Sequence, residues 1–352
     1  MVKRRIFLPL MLMLACFAST GVYAVSVEAN VEYENASDYY RRMVTSMQEK
    51  HWREACFYGE ELVARFPDSP LSFETYFTLG EASFNLASYE KANEFFTSYL
   101  KNDPSPKYFQ KTLAYKFSIA EAFDKGHKKH LFGVQKLPKL LKGYEDAIAL
   151  YDEVITTLPR DPLAARSLYQ KGMLLLKQEE YTKSIDTLQT LIRRFPRHAL
   201  TPQAYVGVCQ VYATHYENVF ADPDYLDLAE INLRKFKFDF PGESRVQECE
   251  SFILSMKEYL AADLYEIGDF YRRTKKTKAA AIYFSKILKK YPETSFATKA
   301  KRFLAKKEFQ SALEEVKYEQ EEEKQALEKK TLEQRDDSLL VEQYEEMPVI
   351  EN

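Results

Sequence analysis

The chain has 352 residues, among them 10 glycines, 25 tyrosines, 24 phenylalanines and one tryptophan, and it carries 50 basic against 53 acidic side chains. Glycine far below the usual roughly 7% argues against dinucleotide- and phosphate-binding folds, whose loops need glycine for close backbone approach, and against β-rich folds, which need it at turns. With 45% hydrophobic residues the chain can bury a core, so wholesale disorder is excluded and an all-helical protein packed with large aromatic side chains is expected.

Residues 1–24 read as an export signal. Lys3, Arg4 and Arg5 make a positive start, and Ile6 to Ala18 is an apolar stretch interrupted by Pro9 and shorter than the roughly 20 residues a membrane span needs. Val22-Tyr23-Ala24 offers small residues where a signal peptidase reads them, with cleavage before Val25. Inside the same segment, Met13-Leu14-Ala15-Cys16 is a degenerate lipoprotein box, with Met at its first position and a bulky Leu14 where a small residue is usual. Two fates are therefore open: cleavage after Ala24, or lipidation of Cys16 with firm multi-chain membrane anchoring.

The other cysteines are Cys56, Cys209 and Cys249, an odd number that cannot be fully paired within one exported chain. Cys209 and Cys249 fall in neighbouring repeats, so their pairing is open. Buried small apolar side chains are the reading that their residue type favours.

From residue 25 to 307 the chain is repetitive. Pro67, Pro104, Pro159, Pro196, Pro241 and Pro292 close six similar units, and twelve residues before each stands a small residue: Ala55, Ala92, Ala147, Ser184, Ala229 and Ala280. Eight residues before five of these prolines stands a bulky one, namely Phe96, Tyr151, Leu188, Leu233 and Phe284. Gly80, Gly172 and Gly268 lie 24 residues before theirs. This is tetratricopeptide spacing, in which small side chains sit where two antiparallel helices touch and proline ends the second helix. Each glycine is expected to face the small residue twelve positions later. The fold class is therefore an all-α tetratricopeptide-repeat superhelix of about six helix-turn-helix units.

Departures from the period locate the special segments. Residues 125–142 separate the helices of the third unit and roughly 216–225 those of the fifth. Pro241 to Gly268 is 27 residues against 13 for Pro67 to Gly80, so the last unit's first helix is extended by about four turns. The 125–142 insertion holds six lysines and no acid, whereas residues 308–352 hold 15 acidic and 5 basic side chains. Residues 302–335 keep helix-compatible composition with an apolar stripe at Phe303, Phe309, Leu313 and Val316 that then turns polar, and roughly the last fifteen residues of the chain read as disordered. The lysine clusters suit acidic lipid head groups, an acidic partner or the acidic tail itself.

Catalytic chemistry finds no footing. The five histidines make no metal spacing with carboxylates, and His127-x-x-His130 is a bare pair in a lysine-rich insertion. No hydrolase elbow, zinc-protease motif or phosphate loop occurs, so no cofactor, metal or catalytic residue is expected. Export and the acidic balance disfavour nucleic acid.

The first unit contains His51-Trp52-Arg53-Glu54-Ala55 and closes on Arg65-Phe66-Pro67-Asp68-Ser69-Pro70. The last two run from Ala221-Asp222-Pro223-Asp224 through Phe240-Pro241-Gly242-Glu243-Ser244 to Ala262-Asp263-Leu264-Tyr265, Phe270-Tyr271-Arg272-Arg273 and Tyr291-Pro292-Glu293-Thr294. This arrangement resembles the BamD-like lipoproteins of the outer-membrane β-barrel assembly machinery, over most of 36–305 and most specifically over 220–300. It departs from them in having six repeats rather than five, a poor lipoprotein box and a longer acidic tail. The resemblance implies a non-catalytic scaffold on the periplasmic face of the outer membrane. Its C-terminal repeats, about 220–305, would hold the barrel-insertion (BamA-like) subunit, and its N-terminal repeats, about 36–104, would form a groove for unfolded outer-membrane protein segments. Arg272 and Arg273, with Trp52 and Arg53 at the other end, are the candidate partner contacts. The competing expectation is a soluble periplasmic tetratricopeptide adaptor for cell-wall, division or secretion components.

Overall fold

The computed structural model describes residues 35–102, 105–130, 139–218 and 223–315. The signal segment with Cys16, most of the loop before Pro223 and the tail from 316 onward lie outside the described residues. Thirteen helices run in chain order: α1 (Ala36–Gln48), α2 (Trp52–Arg65), α3 (Pro70–Asn85), α4 (Tyr89–Asn102), α5 (Phe109–Asp124), α6 (Tyr144–Thr157), α7 (Pro162–Lys177), α8 (Tyr181–Arg194), α9 (Thr201–Asn218), α10 (Pro223–Asp239), α11 (Val246–Arg273), α12 (Thr277–Lys290) and α13 (Ser295–Leu304). A further helical stretch follows at 307–315. Each odd-numbered helix from α1 to α11 packs against the even-numbered one after it, and each odd-numbered helix also touches the next odd-numbered one. The result is six antiparallel pairs in a row with the first helices forming one continuous layer, the arrangement of a tetratricopeptide superhelix.

The prolines act as the spacing predicts. Pro67, Pro159, Pro196, Pro241 and Pro292 each stand two positions after the last residue of a second helix. The polar residues just beyond two of them start the next helix: the Ser69 hydroxyl accepts from the Leu71 amide at 3.3 Å, and the Thr294 hydroxyl from the Ala297 amide at 3.1 Å. Asp161 caps α7 in the same way, with Pro162 as the first helical residue.

The turn that ends the first helix is a repeated motif in five of the six pairs, one that the spacing does not announce. Lys50, Ala87, Glu179 and Lys275 all adopt left-handed backbone, with φ between 53° and 61°, and each stands 17 residues before its closing proline. The amide of the following residue reaches back to the carbonyl five positions earlier, as in His51 to Ser46, Ser88 to Ser83, Glu180 to Leu175 and Lys276 to Tyr271. These are Schellman closures, which satisfy the last carbonyls of the first helix. In the third pair Gly126 takes the left-handed position (φ 92°), and the His127 amide bonds Ala122.

The small residues twelve before each proline are all fully buried. The glycines make a further contact beyond the one expected. A Cβ on Gly80 would lie 2.4 Å from the Phe96 ring, on Gly172 2.7 Å from Leu188, and on Gly268 2.7 Å from the Phe284 ring. The glycine therefore makes room for the bulky residue sixteen positions later, while the residue twelve later meets its backbone: Ser184 donates to the Gly172 carbonyl at 2.7 Å. Each knob also packs against the first helix of the next pair. Phe96 stacks on Tyr115 at 5.1 Å and Phe284 on Phe303 at 5.4 Å, and Leu188 also sits under Gly207. Leu233 is the exception. It is only half-buried, and Phe236 fills the fifth pair instead, stacked on Tyr205 at 5.0 Å.

The inserted segments take definite form. Part of 125–142 is a two-stranded antiparallel ribbon, β1 (Lys128–His130) and β2 (Lys139–Lys142), which interrupts the helical architecture. The break in the fifth pair is narrower than expected, because α9 runs to Asn218 and α10 begins at Pro223. Helix α11 has 28 residues against 16 for α3 and α7. Core packing continues past residue 307, since Phe309 and Ala312 are buried beside Phe284 and Phe303.

Candidate functional site

The N-terminal part of the layer of first helices is rich in tyrosine. From α1 comes Tyr40, from α3 Glu74 and Glu81, and from α5 Lys111 and Tyr115, with Lys107 and Tyr108 just before it. The Tyr108 hydroxyl donates to Glu74 at 3.4 Å, and the Tyr115 hydroxyl donates to Glu81 at 2.9 Å. Lys111 pairs with Glu81 at 2.6 Å and lies over the Phe77 ring at 5.1 Å. Burial, with Glu74 adding to it, pushes the Tyr40 hydroxyl pKa above its ordinary value, and burial beside Glu81 does the same to Tyr115. These rings present partly exposed apolar faces beside fixed carboxylates and ammonium groups. That mixture suits an extended peptide, which offers backbone polar groups and side chains at alternating positions.

The C-terminal part of the same layer holds a shallow cavity of about 250 Å³ lined by Tyr169 of α7, Gln203, Val206 and Gln210 of α9, and Glu248 and Phe252 of α11. Arg245 at its edge forms a two-pronged ion pair with Glu243, at 2.9 and 3.0 Å. Burial raises the Tyr169 pKa, with Glu248 adding to it and Arg245 opposing.

On the other side of α11, Lys257 bridges Glu230 of α10 at 3.0 Å and Glu293 at 2.6 Å, at the edge of a cavity of about 420 Å³ between α10 and α11. Glu258 takes the Ser295 amide at 2.6 Å, which fixes the start of α13. The extended helix is thus clamped along its length by charges from both neighbours.

The candidate contact residues are placed at opposite ends of the superhelix. Arg272 and Arg273 occupy the last turn of α11 and share one carboxylate: Arg272 meets Asp269 at 2.7 Å and Arg273 meets it at 3.1 Å. Arg272 also lies over the Phe303 ring at 5.0 Å, so its side chain is engaged within the fold. Arg273 is the exposed member of the pair, and Ile267 and Phe270 on the preceding turns are exposed as well. Trp52 and Arg53 open α2, a second helix, and so stand off the tyrosine-rich layer; Trp52 is half-buried and Arg53 exposed.

Two features escape a reading of the sequence. Lys116 is fully buried among α4, α5 and α6, donating to Asn93 at 3.0 Å, Thr97 at 2.7 Å and Glu153 at 2.9 Å. Burial lowers its pKa, and the bond to Glu153 opposes that shift. In the first pair the knob position is Gly59, and Leu79 and Met43 fill the space above it. Among the insertion's lysines, Lys129 pairs with Asp146 at 2.6 Å, and His127 packs edge-on against Tyr89. The His130 side chain lies outside the described residues. Among the described residues no group of three or more potential metal ligands occurs, and no helix is long and apolar enough to cross a membrane.

Six stacked helix pairs define a tetratricopeptide-repeat interaction scaffold. Residues 132–324, more than half of the chain, match the family model YfiO, described as an outer membrane lipoprotein. The chain belongs to this BamD-like family of outer membrane lipoproteins. No curated protein matches it. Among solved structures, it is similar to a TPR repeats protein from Bacteroides fragilis, at 11% identity and TM-score 0.42, over 63% of this chain and 99% of that one. It is also similar to YrrB, a TPR protein with an unusual peptide-binding site, at 12% identity and TM-score 0.36, over 62% and 94%. A tetratricopeptide repeat protein from Parabacteroides merdae is similar at 11% identity and TM-score 0.34, over 79% and 98%.

Proposed function

We propose that the chain is a non-catalytic scaffold for assembling and inserting β-barrel proteins into the outer membrane. The observation that carries this is the family match over 132–324, which contains the extended α11 and the repeats on either side of it. In this reading the segment 220–305 holds the barrel-insertion subunit, with Arg273, Phe270 and Ile267 as the contact turns of α11. The tyrosine-lined layer of α1, α3 and α5 takes unfolded outer-membrane protein segments. The protein is exported and held at the periplasmic face of the outer membrane by a lipid on Cys16.

Capture of the native complex from detergent-solubilised envelopes tests the partner. Recovery of an outer-membrane barrel-insertion subunit, lost in Arg273→Glu, supports the reading, and its absence from the wild-type capture defeats it. Metabolic labelling with a fatty acid, repeated on Cys16→Ala, tests the anchor. Label and membrane association that vanish in the variant support the lipoprotein, whereas an unlabelled chain beginning at Val25 supports the soluble adaptor.

A further inference from the structure

Cys209 and Cys249 are forty residues apart in sequence, on α9 and α11, yet their sulfurs lie 2.7 Å apart. Both side chains are fully buried and both thiols are free in this structure. The separation is closer than a comfortable non-bonded sulfur contact and leaves well under ~1 Å to the bond length of a disulfide. The Cys249 thiol and the Asn232 side-chain amide, the latter at 3.2 Å, both point donors at the Cys209 sulfur. The Cys249 sulfur is fixed from behind by the Tyr205 carbonyl, one turn before Cys209, at 3.5 Å.

We infer that Cys209 and Cys249 are an oxidation site, joined in the mature protein by a disulfide that staples the first helix of the fifth repeat to the extended first helix of the sixth. The inference rests on the export reading, because a buried structural disulfide is maintained in an oxidising compartment. The oxidant is a protein or small-molecule disulfide. The Cys209 thiolate attacks one of its sulfurs, the donor's S–S bond breaks and one donor thiolate leaves. The Cys249 thiolate then attacks the Cys209 sulfur and expels the second donor thiolate. Two thiols are oxidised, one disulfide is reduced, and the two protons end on the donor's thiols. Because both sulfurs are buried once α9, α10 and α11 pack together, exchange takes place before that packing is complete. Asn232 of α10 then closes over the pair.

The staple matters because of where it lies. Tyr205, whose carbonyl lies 3.5 Å from the Cys249 sulfur, also stacks on Phe236 of α10, and Glu248, adjacent to Cys249, lines the cavity with Tyr169. The bond would fix the relative placement of α9 and α11, and so the shape of the cavity lined by α7, α9 and α11.

The test uses the full chain isolated from its own host. Acid-quenched envelope and soluble fractions are alkylated under denaturing conditions, with and without prior reduction, and digested. The expected result is a linked Cys209–Cys249 peptide pair that takes label only after reduction, beside a Cys56 peptide that labels at once. Both cysteines labelled without reduction in the envelope fraction overturn the proposal. The purified chain is also refolded in a mixture of oxidised and reduced glutathione. There the wild type should lose the mass of two hydrogens and melt roughly 5 °C or more above its reduced form. Cys209→Ser and Cys249→Ser should melt identically with and without reductant. Failure of the wild type to close the bond in glutathione overturns the proposal as well. A chain found only in the cytosolic fraction that still closes the bond in glutathione defeats the export reading and leaves the cysteine site standing.

Discussion

At the scale of single residues, this fold is governed by a lock between glycine and a knob. Gly268 faces the Phe284 ring at a distance that leaves no room for a methyl group, and that ring has no freedom to retreat. It stacks nearly parallel on Phe303 and touches Tyr265 and Phe309. Gly268→Ala is therefore expected to destabilise by about 1–3 kcal/mol, the range of an overpacked core. Phe284→Leu in the same chain should return part of that loss, so a double-mutant cycle by urea denaturation would read a favourable coupling; additive losses would show that the contact is not what the glycine serves. A second residue sets a pH dependence. His215 lies between the Tyr181 and Tyr225 rings, each 4.5 Å away, and its Nδ1 has no hydrogen-bond partner. Burial lowers its pKa below the ordinary histidine value. The unfolded chain keeps the ordinary value, near 6.5, so as pH falls below about 6.5 the unfolded state takes up a proton that the folded state resists, and stability declines. Above that window the group contributes nothing. Melting curves of wild type and His215→Phe should thus be offset by a constant near pH 7 to 8 and draw together or cross in the variant's favour toward pH 5. An offset that stays constant across the range would exclude this histidine as the cause.

At the scale of the element, the same left-handed turn recurs in pair after pair without glycine. Lys50, Ala87, Glu179 and Lys275 share no chemistry, so spacing to the proline marked the small residues and the knobs but not this position. What the four have in common is an amide reaching five residues back, which is a property of the helix end and not of the side chain. The turn also explains how a superhelix of this length manages with ten glycines: the closure tolerates the strain of an ordinary residue. That strain is about 1–2 kcal/mol per residue, set against about 0.4–1 kcal/mol of extra unfolded-state freedom that a glycine introduces. Ala87→Gly and Lys275→Gly should therefore each raise stability by about 0.5–1 kcal/mol, measured as a shift in urea midpoint at constant slope. A loss in both would show that the left-handed conformation is not carried into solution. The ribbon at 128–142 was hidden for the complementary reason. Its strands are lysine-rich, poor β-formers by composition, and the pairing of Lys128 with Lys142 is set across the insertion by the ends of α5 and α6. Lys116 reads as a surface lysine on an amphipathic helix, and only the convergence of Asn93, Thr97 and Glu153 around it makes it internal.

At the scale of the whole molecule, the repeat count, the order of helices and the extension of α11 could be read from proline, alanine and glycine positions. The convergence of tyrosines from α1 and α5 on carboxylates of α3 could not, because it depends on which helices line up across three pairs. The core is not uniform along that line. Tyr39, Met43, Ala55, Tyr58, Leu62 and Ala82 form a cluster of their own around the first pair, while a single continuous cluster runs from Phe77 to Ala312. The first pair lacks the bulky knob that ties a repeat to its successor, since Gly59 occupies that position and Leu79 reaches back from α3 instead. In a structure whose stability is a sum of repeat and neighbour terms, an end pair has a neighbour on one side only, and one with a buried cluster of its own is free to open by itself. Native-state hydrogen exchange should accordingly show α1 and α2 opening at a free energy below that of α7 to α9. Gly59→Ala should lower their protection further by forcing Leu79 away, while the exchange of α7 to α9 stays unchanged. Equal protection of α1–α2 and α7–α9 in the wild type would mean that the two clusters unfold as one. The tyrosine-lined layer, of which α1 is the outer wall, would then be as rigid as the C-terminal repeats and could not widen by opening of the first pair to admit a segment.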